Sequence, residues 1–352
     1  MSFPQHRSFS FRLASGLGIV ALTGCIAHHA GPAGTGSRMV VDDAYLARGK
    51  DRSFAIRYEA TVKDVPAGAK TLRLWLPVPQ TTNLQAITGL EFSGPAQPRL
   101  TAEPKYGNMI AYVELSNPPA GTHTWRMAFQ VRRREVKVAL GTIGSERADP
   151  DGSYKVFSDA DRLVVITDDV RDRAKKAVAG KSGSIEKARA IYQSVMGSMT
   201  YDKSGTGWGR GDVRYACDVG KGNCTDFHAL FNAMCRAEGI ASGFEIGLFL
   251  PYDAKPGADW EKSQSGYHCW AAFRVPGRTW VPVDISEADR FPERADYFFG
   301  AHTANRVTLS VGRDLKLEPA QDGDALNYFL DPYAEVDGKP QLTAKVWHFR
   351  DL

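Results

Sequence analysis

Long apolar runs are almost missing from this chain of 352 residues. The one candidate, residues 13–22 (LASGLGIVAL), is ten residues long, too short to cross a bilayer as a helix. An excess of charge of one sign is also missing. The formal net charge is +4, and the densest basic run, the tripeptide Arg132-Arg133-Arg134, is too short to argue for a nucleic-acid partner, so none is expected. Cysteine is scarce, with five in the chain, and no two form a C-x-x-C pair, which argues against zinc. What remains is ordinary for a soluble globular protein: 43% hydrophobic, 24% charged, and length for two domains.

The short apolar run has another use. Arg7 and Arg12 precede it as a basic region, the pattern of an export signal. The tetrapeptide Leu22-Thr23-Gly24-Cys25 that closes it resembles a bacterial lipobox. The resemblance implies that residues 1–24 are removed and that Cys25 is lipidated, making a membrane a partner through the anchor. More than one acyl chain makes such anchoring stable. Ile26 stands where Asp would signal inner-membrane retention, which points to a periplasm-facing outer-membrane site if the source is Gram-negative. The alternative is an ordinary secretory signal cleaved nearby, with Cys25 incidental. Residues 25–50 then read as a flexible tether rich in Gly, Ala and Ser, with His28 and His29 as part of a solvated linker.

From residue 51 the pattern turns to period 2. Phe54, Ile56, Tyr58, Ala60 and Val62 alternate with mostly polar residues; so do Leu72, Leu74, Leu76 and Val78, and Trp125, Met127, Phe129 and Val131. Such runs between turn residues predict an antiparallel β-sandwich over residues 51–140. It carries no clustered acids, metal spacing or partnered nucleophile. Residues 141–183 read as a linker and connecting helical region. Ser184 is the expected cap of a helix carrying Ile185, Ala188, Tyr192, Val195 and Met199 on one side.

Residues 202–222 predict a long loop with six glycines. It leads to GNCTDFHALFNAMCRAEGI, in which Phe227, Leu230, Phe231 and Met234 form one apolar stripe and Gly239 ends a helix. Cys224 therefore falls in the first turn of a buried helix. There the macrodipole and unpaired N–H groups favour the thiolate. Period 2 then returns in residues 244–250. Residues 266–284 (GYHCWAAFRVPGRTWVPVD) predict two strands around Pro276-Gly277, with His268 and Asp284 cross-strand neighbours on one face. A histidine beside the thiol can take its proton, and a carboxylate behind it fixes the tautomer. The backbone N–H of Cys224 can donate to an oxyanion.

These segments also carry a resemblance. GNCTDFHALFNAMCRAEGIASGFEIG, GYHCWAAFRVPGRTWVPVD and MTYDKSGTGWGRGD resemble the transglutaminase-like superfamily, in its bacterial cysteine protease branch. DISEADRFPERADYFFG, RVTLSVGRDLKLEP and LNYFLDPYAEVDG resemble bacterial members too. The likeness covers roughly residues 185–340, and the β-rich segment before it resembles the N-terminal domain many members carry. It implies an α+β, papain-like core over residues 184–340, with the cysteine helix packed on an antiparallel sheet bearing His and Asp, and residues 341–352 as a C-terminal strand. It also implies a catalytic triad of Cys224, His268 and Asp284. Papain-like enzymes place an upstream Gln in the oxyanion hole. The residue six before Cys224 is Asp218, an anion unfit for that role, and the indole N–H of Trp208 is the alternative donor.

The implied chemistry is a cysteine hydrolase, peptidase or amidase, acting on peptide or protein amides through a thioester. The alternatives are a transglutaminase using the same intermediate and an inactive binding module at the cell envelope. No metal and no organic cofactor is implied: Cys224, His228, Cys217 and Cys269 would have to converge on zinc from separate segments, and His228 reads as a helix-surface or packing residue. Cys269 is expected to face away from His268. Cys235 lies roughly 16 Å along the helix from Cys224, so Cys217 pairs with Cys235 or Cys269, or three thiols stay buried, the simpler assumption. Residues 253–266 predict a second polar loop. No acid cluster stands beside the triad unless that loop folds inward with Asp253, Asp259 and Glu261, so water is the expected acceptor.

Overall fold

The computed structural model describes residues 37–150, 152–263 and 266–352. The expected signal segment 1–24, the lipobox-like Cys25 and the paired His28 and His29 lie outside the described residues. No helix among the described residues is long and apolar enough to cross a membrane.

The period-2 runs become strands. Asp51–Val65 buries Phe54, Ile56, Tyr58, Ala60 and Val62 on one face. It is central in a five-stranded antiparallel sheet, paired on one side with Gly121–Arg134 and on the other with Thr343–Asp351. Ile56 thus stands between Phe129 and Phe349, and Tyr58 between Met127 and Trp347. A second five-stranded sheet is built on Thr71–Val78, between Met109–Ser116 and Tyr333–Val336. The sandwich is therefore present, but its boundaries differ from those expected. Residues 333–351 return to it and fill a place in both sheets, so the division at 140 and 184 does not separate two folding cores. Without them each sheet would keep three strands from residues 51–140, with Asp51–Val65 and Thr71–Val78 as open edges, and the C-terminal strands pair with those edges.

Six α-helices occur among the described residues: α1 (Lys155–Ser158), α2 (Asp168–Ala177), α3 (Gly183–Ser198), α4 (Val213–Val219), α5 (Cys224–Ala237) and α6 (Ile285–Arg290). Ser184 is not the cap of α3. Ser182 holds that position, with Glu186 accepting from its N–H at 3.1 Å, while Ser184 donates to Glu146 from the first turn. The glycine loop is also less open than its composition suggests. It contains α4, started by the side chain of Asp212 and stopped by Gly220 at φ +64°.

Helix α5 is buried on nearly every side and packs on a four-stranded antiparallel sheet. Its order is Thr279–Val283, His268–Val275, Ser242–Phe249, Arg306–Val311. The protein is an α+β fold with a papain-like core. The apolar cluster inside the sandwich continues into that core through Phe244, Ile246, Leu248, Val307 and Leu309. The sandwich therefore backs the sheet that carries the candidate site.

Candidate active site

The N-terminus of α5 is fixed by reciprocal bonds. The side chain of the cap residue Asn223 accepts from Thr225 N–H at 2.9 Å, and the Asp226 carboxylate accepts from Asn223 N–H at 3.0 Å. The same buried carboxylate accepts from Gly209 N–H at 2.7 Å and Gly211 N–H at 2.9 Å. Asp226 thus pins the glycine loop to the helix. Gly222 is required by this arrangement, since a Cβ there would come 2.4 Å from the Asp226 carboxylate. Cys224 is the first residue of the helix and is 2% exposed.

His268 opens its strand and Asp284 follows the next one, as the cap of α6. Their registers differ slightly from expectation: Ala271 pairs with Val283, so the hairpin turns near 277 and not 276. The contact survives, because Asp284 lies just beyond the paired residues and its side chain turns back. His268 Nε2–H donates to Asp284 Oδ2 at 2.8 Å. That leaves Nδ1 for the thiol of Cys224, with which the ring forms a hydrogen bond. Phe249 packs on the imidazole at 4.5 Å between centroids.

The charges are arranged to separate. Burial opposes ionisation of Cys224, but hydrogen bonds from Cys269 and His268 and the nearby imidazoles outweigh it, holding the thiol well below its ordinary value. Burial lowers His268, yet the Asp284 carboxylate and the thiolate raise it to about 9. Burial likewise opposes the charge on Asp284, and His268 and Arg306 hold it well below the usual carboxylate range. A thiolate–imidazolium pair backed by a carboxylate follows.

Several members of this site escape the sequence pattern. Arg306, fully buried, donates to Asp284 Oδ2 at 3.0 Å and stacks on Trp270 at 4.8 Å. An arginine heading the apolar run RVTLSV is the only sequence signal of it. His228 is not a surface residue but is fully buried in the site. Its Nε2 stands 3.7 Å from Asp284 Oδ1 but accepts from Ile285 N–H at 3.1 Å, and burial lowers its affinity for protons. It is therefore neutral, and this is no ion pair. Its Nδ1–H points at the sulfur of Cys269, 3.7 Å away. Cys269 was expected to face away from His268; it also reaches Cys224, because the strand begins at His268, under the end of α5. All four described cysteines, Cys217, Cys224, Cys235 and Cys269, are free thiols.

Trp208 donates its indole N–H to Gly205 O at 3.2 Å, within its own loop. Nearer the thiol is the hydroxyl of Tyr267, which accepts from Asn223 Nδ2 at 2.6 Å beside Thr225. Among the described residues no group of three or more His, Cys, Asp or Glu side chains is arranged to hold a metal ion.

A cleft of about 520 Å³ opens beside His268, lined by Tyr201, Phe249, Tyr267, Glu287, Asp289 and Arg290 among others. The acids at the triad are thus Glu287 and Asp289 of α6. Asp253, Asp259 and Glu261 do not line it. Their loop is drawn instead onto the sandwich, where Glu261 pairs with Phe349 and Trp260 lies between Arg57 and Arg350. A larger cavity, about 570 Å³, lies around Arg133 and Glu245 and touches no member of the triad.

A buried cysteine at a helix N-terminus, facing a histidine and an aspartate from an adjacent antiparallel sheet, defines the papain-like class of thiol sites. Comparison narrows the class: residues 171–285 match the family model of the transglutaminase-like superfamily. An uncharacterised protein of Haemophilus influenzae is 28% identical over 311 residues, covering 78% of this chain and 84% of its own length. Among solved structures, a protein of Cytophaga hutchinsonii provisionally described as a cysteine protease shares the fold, with a TM-score of 0.58 at 15% identity over 87% of this chain and 93% of that one. The periplasmic domain of TgpA from Pseudomonas aeruginosa aligns more loosely, with a TM-score of 0.38 at 14% identity over 70% of this chain and 90% of that domain.

Proposed function

We propose that the protein is a cysteine hydrolase that cleaves amide bonds of a peptide or protein through a thioester. The observation that carries this reading is the hydrogen-bonded row from Cys224 through His268 to Asp284, with its charges already separated. The Cys224 thiolate attacks the amide carbonyl carbon. His268 gives its Nδ1 proton to the leaving nitrogen as the C–N bond breaks, and the acyl group stays on sulfur. Water then attacks the thioester, His268 takes its proton, and the acid leaves as the thiolate re-forms. The N–H of Cys224, which has no partner within the helix, and the hydroxyl of Tyr267 hold the oxyanion. Trp208 is committed to its own loop.

Water is the acceptor we favour because exposed Lys203 and Arg290 stand at the rim against an incoming ammonium, although Glu287 and Asp289 line the same cleft. Transfer to an amine needs water kept away from the thioester. Trapping the acyl-enzyme and identifying the acyl group by mass spectrometry tests the intermediate. Holding the donor constant while adding a primary amine at about millimolar level tests the acceptor. Predominant amide product would make the protein a transglutaminase. A Cys224 that no thiol-reactive probe labels selectively would leave a binding module.

The lipobox supports anchoring at Cys25 on an envelope membrane facing the periplasm. Cys25→Ala is expected to release the protein from the membrane fraction, and absence of label from a fatty-acid analogue in the unmutated protein contradicts the anchor.

A further inference from the structure

The cavity of about 570 Å³ has no part in the triad chemistry. It lies where the sandwich meets the core: Gln85 and Arg133 line it from the sandwich, Glu245 and Thr308 from the core sheet, and residues 38–43 complete it. Ligand sites form preferentially at such junctions. Arg133 is 2% exposed, and burial lowers it only to about 10, so it stays a cation at neutral pH. Among the described residues its one hydrogen bond runs from Nη1 to Gln85 Oε1 at 3.2 Å, Nε has no partner, and it forms no ion pair. Glu245 acts on it from beyond ion-pair distance, and Oε2 of Glu245 is already held by Trp270 Nε1–H at 2.6 Å and the Thr308 hydroxyl at 3.0 Å. The other charge acting on Arg133 is a second cation, Arg306, which is committed to Asp284.

Most other charges on the lining have partners. Arg274 is bound by Asp149 at 2.7 and 3.1 Å, Arg278 by Ser145 O at 2.6 and 2.9 Å, and Asp43 by Arg134 at 3.1 Å. Asp42 caps the short helical turn at Asp43–Tyr45. Arg38 is half-buried and makes no hydrogen bond or ion pair among the described residues. Two guanidinium groups without a counter-ion thus share the cavity with the single carboxylate of Glu245. An enclosed cation without a counter-ion is costly, and a guanidinium takes a carboxylate in two parallel bonds. The remaining walls are apolar or aromatic, with Tyr106, Leu84 and Leu309 among them.

We propose that this cavity is a second binding site, separate from the thiol cleft, which takes an organic carboxylate through Arg133 and Arg38 and seats its hydrocarbon body against Tyr106, Leu84 and Leu309. The site stands independently of the proposed thiol chemistry. No member of the triad lines it, so the carboxylate held there is not the group that Cys224 attacks. Inorganic phosphate would meet the same guanidinium groups but leave the apolar walls unfilled. As a dianion it would also meet Glu245 at greater cost than a monoanion does.

The test titrates the full chain, at constant ionic strength, with 3-phenylpropionate, with 3-phenylpropionamide of the same shape, and with inorganic phosphate. Isothermal calorimetry and saturation-transfer NMR read the binding. The acid is expected to bind saturably and the amide about tenfold more weakly, since a charge-assisted pair outweighs a neutral hydrogen bond. Arg133→Gln is expected to weaken the acid by about tenfold, and Arg38→Glu by a similar factor. Alkylating Cys224 fills the thiol cleft and should leave the affinity for the acid unchanged. Loss of binding on alkylation would place the acid at the thiol and overturn the second site. Equal affinity for acid and amide, or no saturable binding of the acid, overturns it too. So does acid binding that Arg133→Gln leaves unmoved; should that variant fail to fold, Arg38→Glu decides by the same criterion. Tighter binding of phosphate than of the acid overturns the ligand class and the proposal with it.

Discussion

Asp284 holds more of the site than its partner histidine suggests. One oxygen receives His268 and Arg306, the other Ser286 and the N-terminus of α6. Replacing it with Asn keeps the volume but loses the charge that orients the imidazole, so Asp284→Asn is expected to retain a small residual turnover. Cys224→Ala should abolish turnover while the fold persists, with His268→Ala nearly as severe. Tyr267→Phe removes one of the two proposed oxyanion donors and should lower kcat by about 10²-fold with KM little changed. Steady-state kinetics on a confirmed substrate, with circular dichroism as the folding control, checks all four. Wild-type turnover in Cys224→Ala would end the nucleophile assignment.

The pH response belongs to the same scale. His268 is raised to about 9, so it remains protonated through neutral pH and loses its proton only above that value. Cys224 is depressed, so the thiolate persists below the ordinary thiol range. Turnover is therefore expected to fall as pH rises through about 9, when the proton for the leaving amine is lost. Alkylation of Cys224 needs only the thiolate and should not fall there. Parallel loss of both would mean that the group titrating near 9 is not a proton donor.

Among the elements, the joint between α5 and the glycine loop decides whether the thiol is in place. The Asp226 carboxylate takes three N–H groups, from Asn223, Gly209 and Gly211. Asp226→Asn trades acceptor capacity for an amide that must face those donors. A loss of about 1–3 kcal/mol in urea unfolding is expected, with faster hydrogen exchange at Gly209 and Gly211 than elsewhere in the chain. Unchanged exchange at those two amides would show that the loop is held by other means. Arg313 and Asn327, which donate to Arg210 O at 2.7 and 2.8 Å, and Tyr328, whose hydroxyl donates to Gly209 O at 3.3 Å, would then be the candidates.

At the scale of the whole molecule, the last strand closes the sandwich. Thr343–Asp351 pairs along Asp51–Val65, with Trp347 and Phe349 buried, and Asp351 binds Arg52 at 2.8 Å. Burying two such aromatic side chains contributes about 3–6 kcal/mol. Removal of residues 341–352 is expected to lower the melting temperature sharply and to expose an edge that aggregates. A truncated protein that melts cooperatively at the wild-type temperature would show that the sandwich closes without this strand.

The cysteine helix, the hairpin that carries His268, the carboxylate behind it and the alternating strands of the sandwich were all legible in the sequence. Each is written in local periodicity, a cap or a turn, and those signals act over a few residues. Arg306, His228 and Glu287 were not, because no local pattern tells that the arginine heading RVTLSV, the histidine four residues after Cys224 and the glutamate after Asp284 share one site. They become part of the site only when a strand, the second turn of a helix and a short helix after the hairpin meet at Cys224. The same holds for residues 333–351, whose partners lie more than two hundred positions earlier. Local pattern determined which elements form and which thiol, imidazole and carboxylate would stand together. Only long-range pairing and burial decided which charges surround that thiol and which edge the last strand closes.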